Sequence, residues 1–304
     1  MDGQKKEMGG TDVSVIVPLY YGKKYLPRIL KMIRLNSIRA RDELNLELIL
    51  VNDSPDEVPE NVSKETFPVI SVSNSVNEGI QRSRIKGLDV SSGEYVLFLD
   101  QDDELAEDAV LNLFRAADGH PAASSDWCFE DLAAGKTVSY SKKGAVDEKT
   151  LRVLLQGGNC IGPPGHCLLR RDCIPECWRV NTLSVNGADD YLLWVCMLTE
   201  GRHFQYCNKS LYVHKYNERS CSADELRMLC SEQEAFLTAA KYYGFSDSLI
   251  RHYLKYMDLR REMYRLRQKG VPKIIRLLAY CRYPGELWRR IISGYRTERK
   301  GKQK

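Results

Sequence analysis

The sequence predicts an α/β protein, a mixed and mostly parallel sheet flanked by helices, followed by a helical, basic C-terminal extension. Three observations carry that expectation. Strand-like and helix-like segments run strand, helix, strand, strand, helix, strand up to residue 100, an order that implies right-handed crossovers in a parallel sheet. The fourth of these strands, Tyr95 to Asp100, is apolar until its last residue, as a strand buried in mid-sheet is. Residues 251–304 hold 17 Lys/Arg against 4 Asp/Glu, a net +13 on a chain whose total is only +4.

Taken in order, VSVIVPLY from Val13 reads as a buried first strand closed by Pro18. Tyr25, Leu26, Ile29, Leu30 and Ile33 then recur at helical spacing. LELILVND, ending at Asp53, is the second strand and stops in a polar turn, Asn52-Asp53-Ser54-Pro55. PVISVS from Pro68 is the third. Asn77-Glu78-Gly79 opens a helix that turns Ile80, Ile85 and Leu88 inward, and Ser91-Ser92-Gly93 ends it. Beyond the acidic strand, DWCFED and KTVSYS flank Ala134-Gly135 as a hairpin, while GGNCIGPPG, residues 157–165, is too rich in Gly and Pro for helix or central strand. ADDYLLWVCML from Ala188 reads as a helix with two acids in its first turn, and the chain from Ser231 onward reads as mainly helical.

Composition is that of an ordinary soluble protein: 43% apolar, 28% charged, mean hydropathy −0.41. No apolar run reaches the 18 residues or so that a spanning helix needs. The N-terminus is polar with no apolar signal core, so the expected location is cytoplasmic. Ten scattered cysteines without CxxC, and only five histidines, argue against zinc and for reduced thiols.

The chemistry concentrates at Asp100, Asp102, Asp103 and Glu104, at the C-terminal edge of the fourth strand, where open α/β sheets bind ligands. Carboxylates this close repel unless a cation joins them, and oxygen ligands suit Mg²⁺ or Mn²⁺. The same acids also fit a helix N-cap before LAEDAVLNLF, so both readings stand at this point. A nucleotide lying across the strand ends would meet Asp53 at its ribose or base and a metal at Asp102 at its diphosphate. Neither GxGxxG nor GxxxxGK[ST] is present, which argues against dehydrogenases, P-loop enzymes and kinases.

VSVIVPLY, LILVNDSPDE, NEGIQRSRIKG, GEYVLFLDQDDEL and NGADDYLLWVCML, in this order, resemble the successive signatures of family 2 glycosyltransferases with the GT-A fold, over about residues 11 to 222. The resemblance implies that Pro18 and Tyr20 line the nucleotide, that Asp53 contacts the nucleoside, and that Asn77, Gly79 and Arg84 lie near it. It makes Asp100-Gln101-Asp102 the DxD motif, with Gln101 beside the nucleotide-sugar and Asp102 the direct ligand of Mn²⁺ or Mg²⁺. Asp189-Asp190 matches the family's acid pair, the second serving as catalytic base with the first orienting it or the acceptor. His214, with Lys215 and Arg219 beside it, is a candidate for the metal or diphosphate, followed by Ser220-Cys221-Ser222. One departure is Ile85, where the family often has Asn.

Tyr191, Trp178 and Trp194 are candidates for stacking on a sugar, though Trp194, four residues past Asp190, reads better as core. His166 in the Gly/Pro-rich loop is a further candidate. The expected division is a disordered 1–10, a catalytic domain at 11–225 and a helical basic region at 226–304. In that last region KIIRLLAY and ELWRRIISGYR alternate apolar clusters with arginines, as interfacial helices do, which suggests an anionic membrane surface as partner; a basic helix docked on the catalytic domain satisfies the same pattern. Nucleic acid is not expected. The function the resemblance implies is inverting transfer of a sugar from a nucleotide diphosphate, UDP-linked by the family's habit, to a glycan or lipid-linked glycan. A nucleotidyltransferase or an inactive sugar-nucleotide or glycan-binding protein are the alternatives.

Overall fold

A computed structural model describes residues 10–57, 65–141, 144–216 and 223–276. Strand β1 (Val13–Leu19) lies between β2 (Leu46–Asn52) and β4 (Tyr95–Phe98), with β3 (Val69–Ser73) outside β2, all parallel. Helix α1 (Leu26–Ala40) makes the crossover from β1 to β2, and α2 (Ile80–Val90) links β3 to β4. Pro18 lies inside β1 rather than closing it. Pairing with β4 ends at Ile16↔Phe98, so the missing proline N–H falls beyond the ladder on that side.

Side chains of β1 and β4 alternate between two apolar layers, as the period of a strand requires. Ile16, Val96 and Phe98 face one layer; Val13, Val15, Val17, Tyr95, Leu97 and Leu99 face the other, which α1 and α3 (Ala109–Ala117) cover. Burial on both faces is why these strands read as continuous apolar runs.

The acidic turn after β4 does not begin a helix. Glu104–Leu105 forms a short strand, β5, antiparallel to the long β9 (Phe204–Tyr216), and α3 starts only after Asp108. The N-cap reading of Asp102 and Asp103 is thereby excluded. The second half of the sheet is mixed: β8 (Cys167–Arg170) runs antiparallel to both β4 and β6 (Ala122–Asp131), β6 is parallel to β9, and β7 (Lys136–Tyr140) closes the expected hairpin with β6.

Three further helices follow β7. These are α4 (Glu148–Gly157), entered through an Asp147/Thr150 capping box, α5 (Glu176–Val180) and α6 (Asp189–Thr199), the first turn of which lines a cavity. Helices α7 (Glu225–Tyr243) and α8 (Asp247–Gln268) then pack Leu229, Phe236, Tyr253 and Met257 into the same core as Leu192, Val195 and Trp194. Among the described residues no helix is long and apolar enough to cross a membrane. The apolar and arginine clusters beyond residue 276, and Arg219 to Ser222, lie outside the described residues.

Candidate active site

The side the sequence assigns to a nucleotide is built from strand ends. Asp53, just past β2, is buried and accepts hydrogen bonds from Asn74 Nδ2 (2.8 Å), Glu78 N (2.7 Å) and Gly79 N (2.8 Å), so it organises the loop that starts α2. Gly79 has φ +87, and an added Cβ would fall 2.5 Å from Asn186 Oδ1, so only glycine serves there. Tyr20, half exposed in the loop after β1, is held through its backbone: Gln101 Oε1 accepts its N–H and Gln101 Nε2 donates to its carbonyl, both at 3.0 Å. Gln101 thus clamps the nucleotide loop to the acidic turn.

Within that turn the carboxylates divide their tasks. Asp103 is fully buried and accepts from Tyr212 Oη, from His214 Nδ1 (3.0 Å) and from Lys215 N (2.8 Å), tying the turn to β9. Burial alone would push the His214 imidazole down; the bond to Asp103 and that carboxylate's charge outweigh it and hold the group above its ordinary value. Asp100 pairs with Arg84. Asp102 has no hydrogen bond from another described residue, and its pKa is pushed up to about 6 by burial, with Asp103 and Asp100 adding to the effect.

Arg84, 3% exposed on α2, is the link between the two halves of the site. It bonds Asp100 with one terminal nitrogen and Asp189 Oδ2 with the other (2.6 Å). Asp189 is therefore charge-paired, and its carbonyl accepts from Trp178 Nε1 (2.9 Å). Asp190, one residue on, has no ion-pair partner among the described residues. Burial and the neighbouring Asp189 raise its pKa to about 7 against the opposing pull of Arg84. Its Oδ2 accepts from Asn159 Nδ2 (2.9 Å), and Asn159 Oδ1 is fixed by the backbone N–H groups of Ile161 and Gly162, both 3.1 Å.

One cavity of about 1140 Å³ collects these groups. Its lining includes Pro18, Tyr20, Asp53 and Asn77 from the strand ends and the loop before α2, Asp100, Gln101 and Asp102 of the acidic turn with His214, and Arg84, Asp189 and Asp190. Other candidates lie elsewhere. Trp178, Tyr191 and Trp194 are fully buried, with Tyr191 Oη on Leu154 O and Trp194 Nε1 on Gly162 O, so none of the three has a face to offer a sugar. His166 is buried with its two ring nitrogens on Ser125 O and Ile161 O, a packing role. Ile85, where the family often has Asn, packs against the core instead. Asn159, in the Gly/Pro-rich loop, and Trp127, Phe129, Tyr140 and Tyr216, which no sequence motif marks, also line the cavity. The alternating aromatics of DWCFED were the available signal for the first two rings.

Residues 14–178 match the family described as Glycosyl transferase family 2. The chain belongs to that family. Among relatives of this family 2 member, the Campylobacter jejuni GalNAc(5)-diNAcBac-PP-undecaprenol beta-1,3-glucosyltransferase is 29% identical over 67% of this chain and 62% of its own. Glycosyltransferase GlyA of Streptococcus pneumoniae is 29% identical over 43% of this chain and 17% of its own. The chain thus spans less than two thirds of the length of these relatives. Its fold is that of S. aureus TarS 1-349: in the complex with UDP-GlcNAc the TM-score is 0.58 at 16% identity, over 80% of this chain and 72% of TarS 1-349.

For a family 2 chain the residues at the acidic turn fit a hard divalent cation in a particular way. Among the described residues no three His, Cys, Asp or Glu side chains form a group that could hold a metal ion alone. Asp102 has no ion pair or hydrogen bond from another described residue, and its acid form is favoured by burial first and by Asp103 and Asp100 second; added positive charge would oppose both, and Mg²⁺ commonly takes one or two carboxylates with substrate phosphates completing its shell. The donor set suits a cation that arrives with a diphosphate rather than a preformed cage.

Proposed function

We propose that the chain is an inverting, metal-dependent glycosyltransferase that moves a hexosyl or N-acetylhexosaminyl group from a UDP-linked donor to a hydroxyl of a glycan or lipid-linked glycan. One observation carries the reading: the DxD carboxylates Asp100 and Asp102 and the acid pair Asp189-Asp190, almost ninety residues apart, line one cavity and are joined through Arg84. The UDP-GlcNAc complex of TarS and the undecaprenol-linked substrate in the Campylobacter enzyme's name support the donor and acceptor classes.

In this mechanism Pro18, Tyr20 and Asp53 frame the nucleoside. Mn²⁺ or Mg²⁺ on Asp102, with Asp100, would offset the charge that builds on the leaving diphosphate. His214 keeps Nδ1 on Asp103, which leaves Nε2 for the same diphosphate or cation. The acceptor oxygen attacks the anomeric carbon in line as the bond to the diphosphate breaks, and Asp190 takes its proton from the opposite side. Asn159 fixes the direction of the receiving carboxylate. Arg84 pairs with Asp189 and so lessens, without removing, the like-charge effect of Asp189 on the base.

The basic C-terminal region, residues 251–304, would hold the enzyme against the anionic inner face of the membrane, consistent with a cytoplasmic enzyme acting on a lipid-linked glycan. Nucleotide-sugar binding followed by thermal shift with Mn²⁺ tests the reading. Asp102→Ala is expected to abolish the Mn²⁺-dependent shift, and Asp190→Asn to keep the shift and lose transfer; wild-type turnover in Asp190→Asn would overturn the base assignment.

A further inference from the structure

The register of three strands gathers rings onto one face beside the cavity. Trp127 and Phe129 alternate along β6; opposite them, β9 places Tyr212 and His214, and β7 pairs Tyr140 with Trp127. Tyr216 extends the row, its ring 5.5 Å from that of Phe129. Because side chains two apart on a strand share a face, this is one surface and not a scatter of aromatics. Trp127 and Tyr140 are stacked at 4.3 Å and 11°. The inner face of Trp127 is taken by the loop after α4: a Cβ on Gly162 would fall 2.7 Å from Trp127 Cζ2. Tyr140 is 45% exposed and covers the outer face.

That loop also carries Asn159, the partner of Asp190. The ring face and the base are therefore positioned by a single short segment, residues 159–162, while the nucleotide-binding strand ends lie across the acidic turn. The ring face and Asp190 line the same cavity and are held by the two ends of that segment. The surface is also amphipathic: Ser141, Arg227 and His214 line the cavity among Trp127, Phe129, Tyr140 and Tyr216. A pyranose presents the matching chemistry, with an apolar face of axial C–H bonds and a rim of hydroxyls, whereas a polyprenyl chain offers nothing to the polar groups.

We propose that Tyr140, Phe129 and Tyr216, backed by Trp127, form the acceptor subsite and receive the face of a pyranose whose hydroxyl is directed at Asp190. This rests on the assignment of Asp190 as base for its orientation, but not for its binding. The specificity it gives is for a saccharide end group, selected by which hydroxyl reaches the carboxylate when the ring lies on the aromatic face.

Saturation-transfer NMR on the full chain with UDP and Mn²⁺, using methyl glycosides of glucose, galactose and N-acetylglucosamine and their disaccharides as probes, tests the subsite without turnover. The expected result is saturation strongest on the protons of one ring face, with binding weakened about two- to tenfold in Tyr140→Ala and Phe129→Ala. Tyr140→Phe should bind as wild type, since the ring face and not the hydroxyl is the contact, and UDP affinity should be unchanged in all three. No saturation of any glycoside, glycoside binding unaffected by either alanine, or preferential saturation of farnesyl monophosphate over the sugars would each overturn the proposal. Because binding is read directly, an Asp190→Asn variant that kept turnover would remove the base assignment while leaving these outcomes to stand or fall separately.

Discussion

Adjacent acids with nearly identical sequence environments are given opposite electrostatic tasks by one arginine. Asp189 is ion-paired with Arg84, while Asp190 faces the cavity, where among the described residues its charge is bonded by the Asn159 amide and its neighbour's backbone N–H and feels Arg84 only at a distance. For the proposed role of Asp190 as base, a pKa near 7 is well matched to neutral pH. We expect kcat/KM to rise with pH through about 7. Asn159→Ala, which removes a donor to the charged form, should move that midpoint upward and lower activity at neutral pH; an unmoved acid limb would show that Asn159 does not position the base. The same shift has a stability consequence. A carboxyl whose folded-state pKa is raised contributes stability that is present below the ordinary carboxylate range and lost as pH rises through about 7. Asp190→Asn should accordingly melt higher than wild type at pH above 7, with the difference shrinking as pH falls and closing only near the ordinary carboxylate range, about pH 4, measured by thermal denaturation.

Helices that carry no reactive group hold those that do. Through Arg84, α2 joins the acidic turn to α6, and its loss would leave Asp100 and the buried Asp189 uncompensated. Arg84→Ala should cost about 3–5 kcal/mol in urea unfolding, and Arg84→Lys should recover little, because one ammonium cannot bond both carboxylates as a planar guanidinium does. On the far side, α7 grips the loop leading into α6: Ser231 Oγ accepts from Ala188 N (2.9 Å) and donates to Val185 O, and Glu234 accepts from Ser184 N (2.7 Å). Helix α8 grips the loop after α4 through Tyr256 Oη on Gly157 O (2.9 Å), with Arg260 paired to Glu232 of α7. Ser231→Ala should therefore lower kcat more than it raises the donor KM, measured by steady-state kinetics. The central elements were legible, because β1, β2, β4 and α6 are buried on most sides and read as apolar runs. Helix α4 and the length of β9 were not. Much of β9 is only half-buried beside β6 and α3, so its polar residues, such as Lys209 and Ser210, hide the strand period.

Charge is divided along the whole chain, with +13 on residues 251–304 and −9 on the remainder. Part of that basic stretch is α8, whose Arg260 and Arg267 are engaged with Glu232 and Glu225, so the charge left for a membrane lies mainly beyond it. Deleting residues 277–304 should release the protein from anionic liposomes and leave UDP-sugar binding intact. Cosedimentation of wild type should also fall as salt rises, since such attraction is screened over roughly 10 Å at 0.1 M. Unchanged cosedimentation of the deletion would assign the basic end to another role.

Local patterns in the sequence were enough for the order of the first strands and helices, for the acids that end them and for the family, because buried runs, turn residues and short motifs each depend on neighbours within a few positions. They could not decide between a helix cap and a cation site at Asp102, since both need a carboxylate at the same place; the pairing of Glu104–Leu105 with β9 settled against the cap. Nor could they separate Asp189 from Asp190, or find Asn159 and the ring face around Tyr140. Those depend on contacts between residues up to 105 positions apart, such as Arg84 with Asp189, and on strand register, which only the packed chain defines.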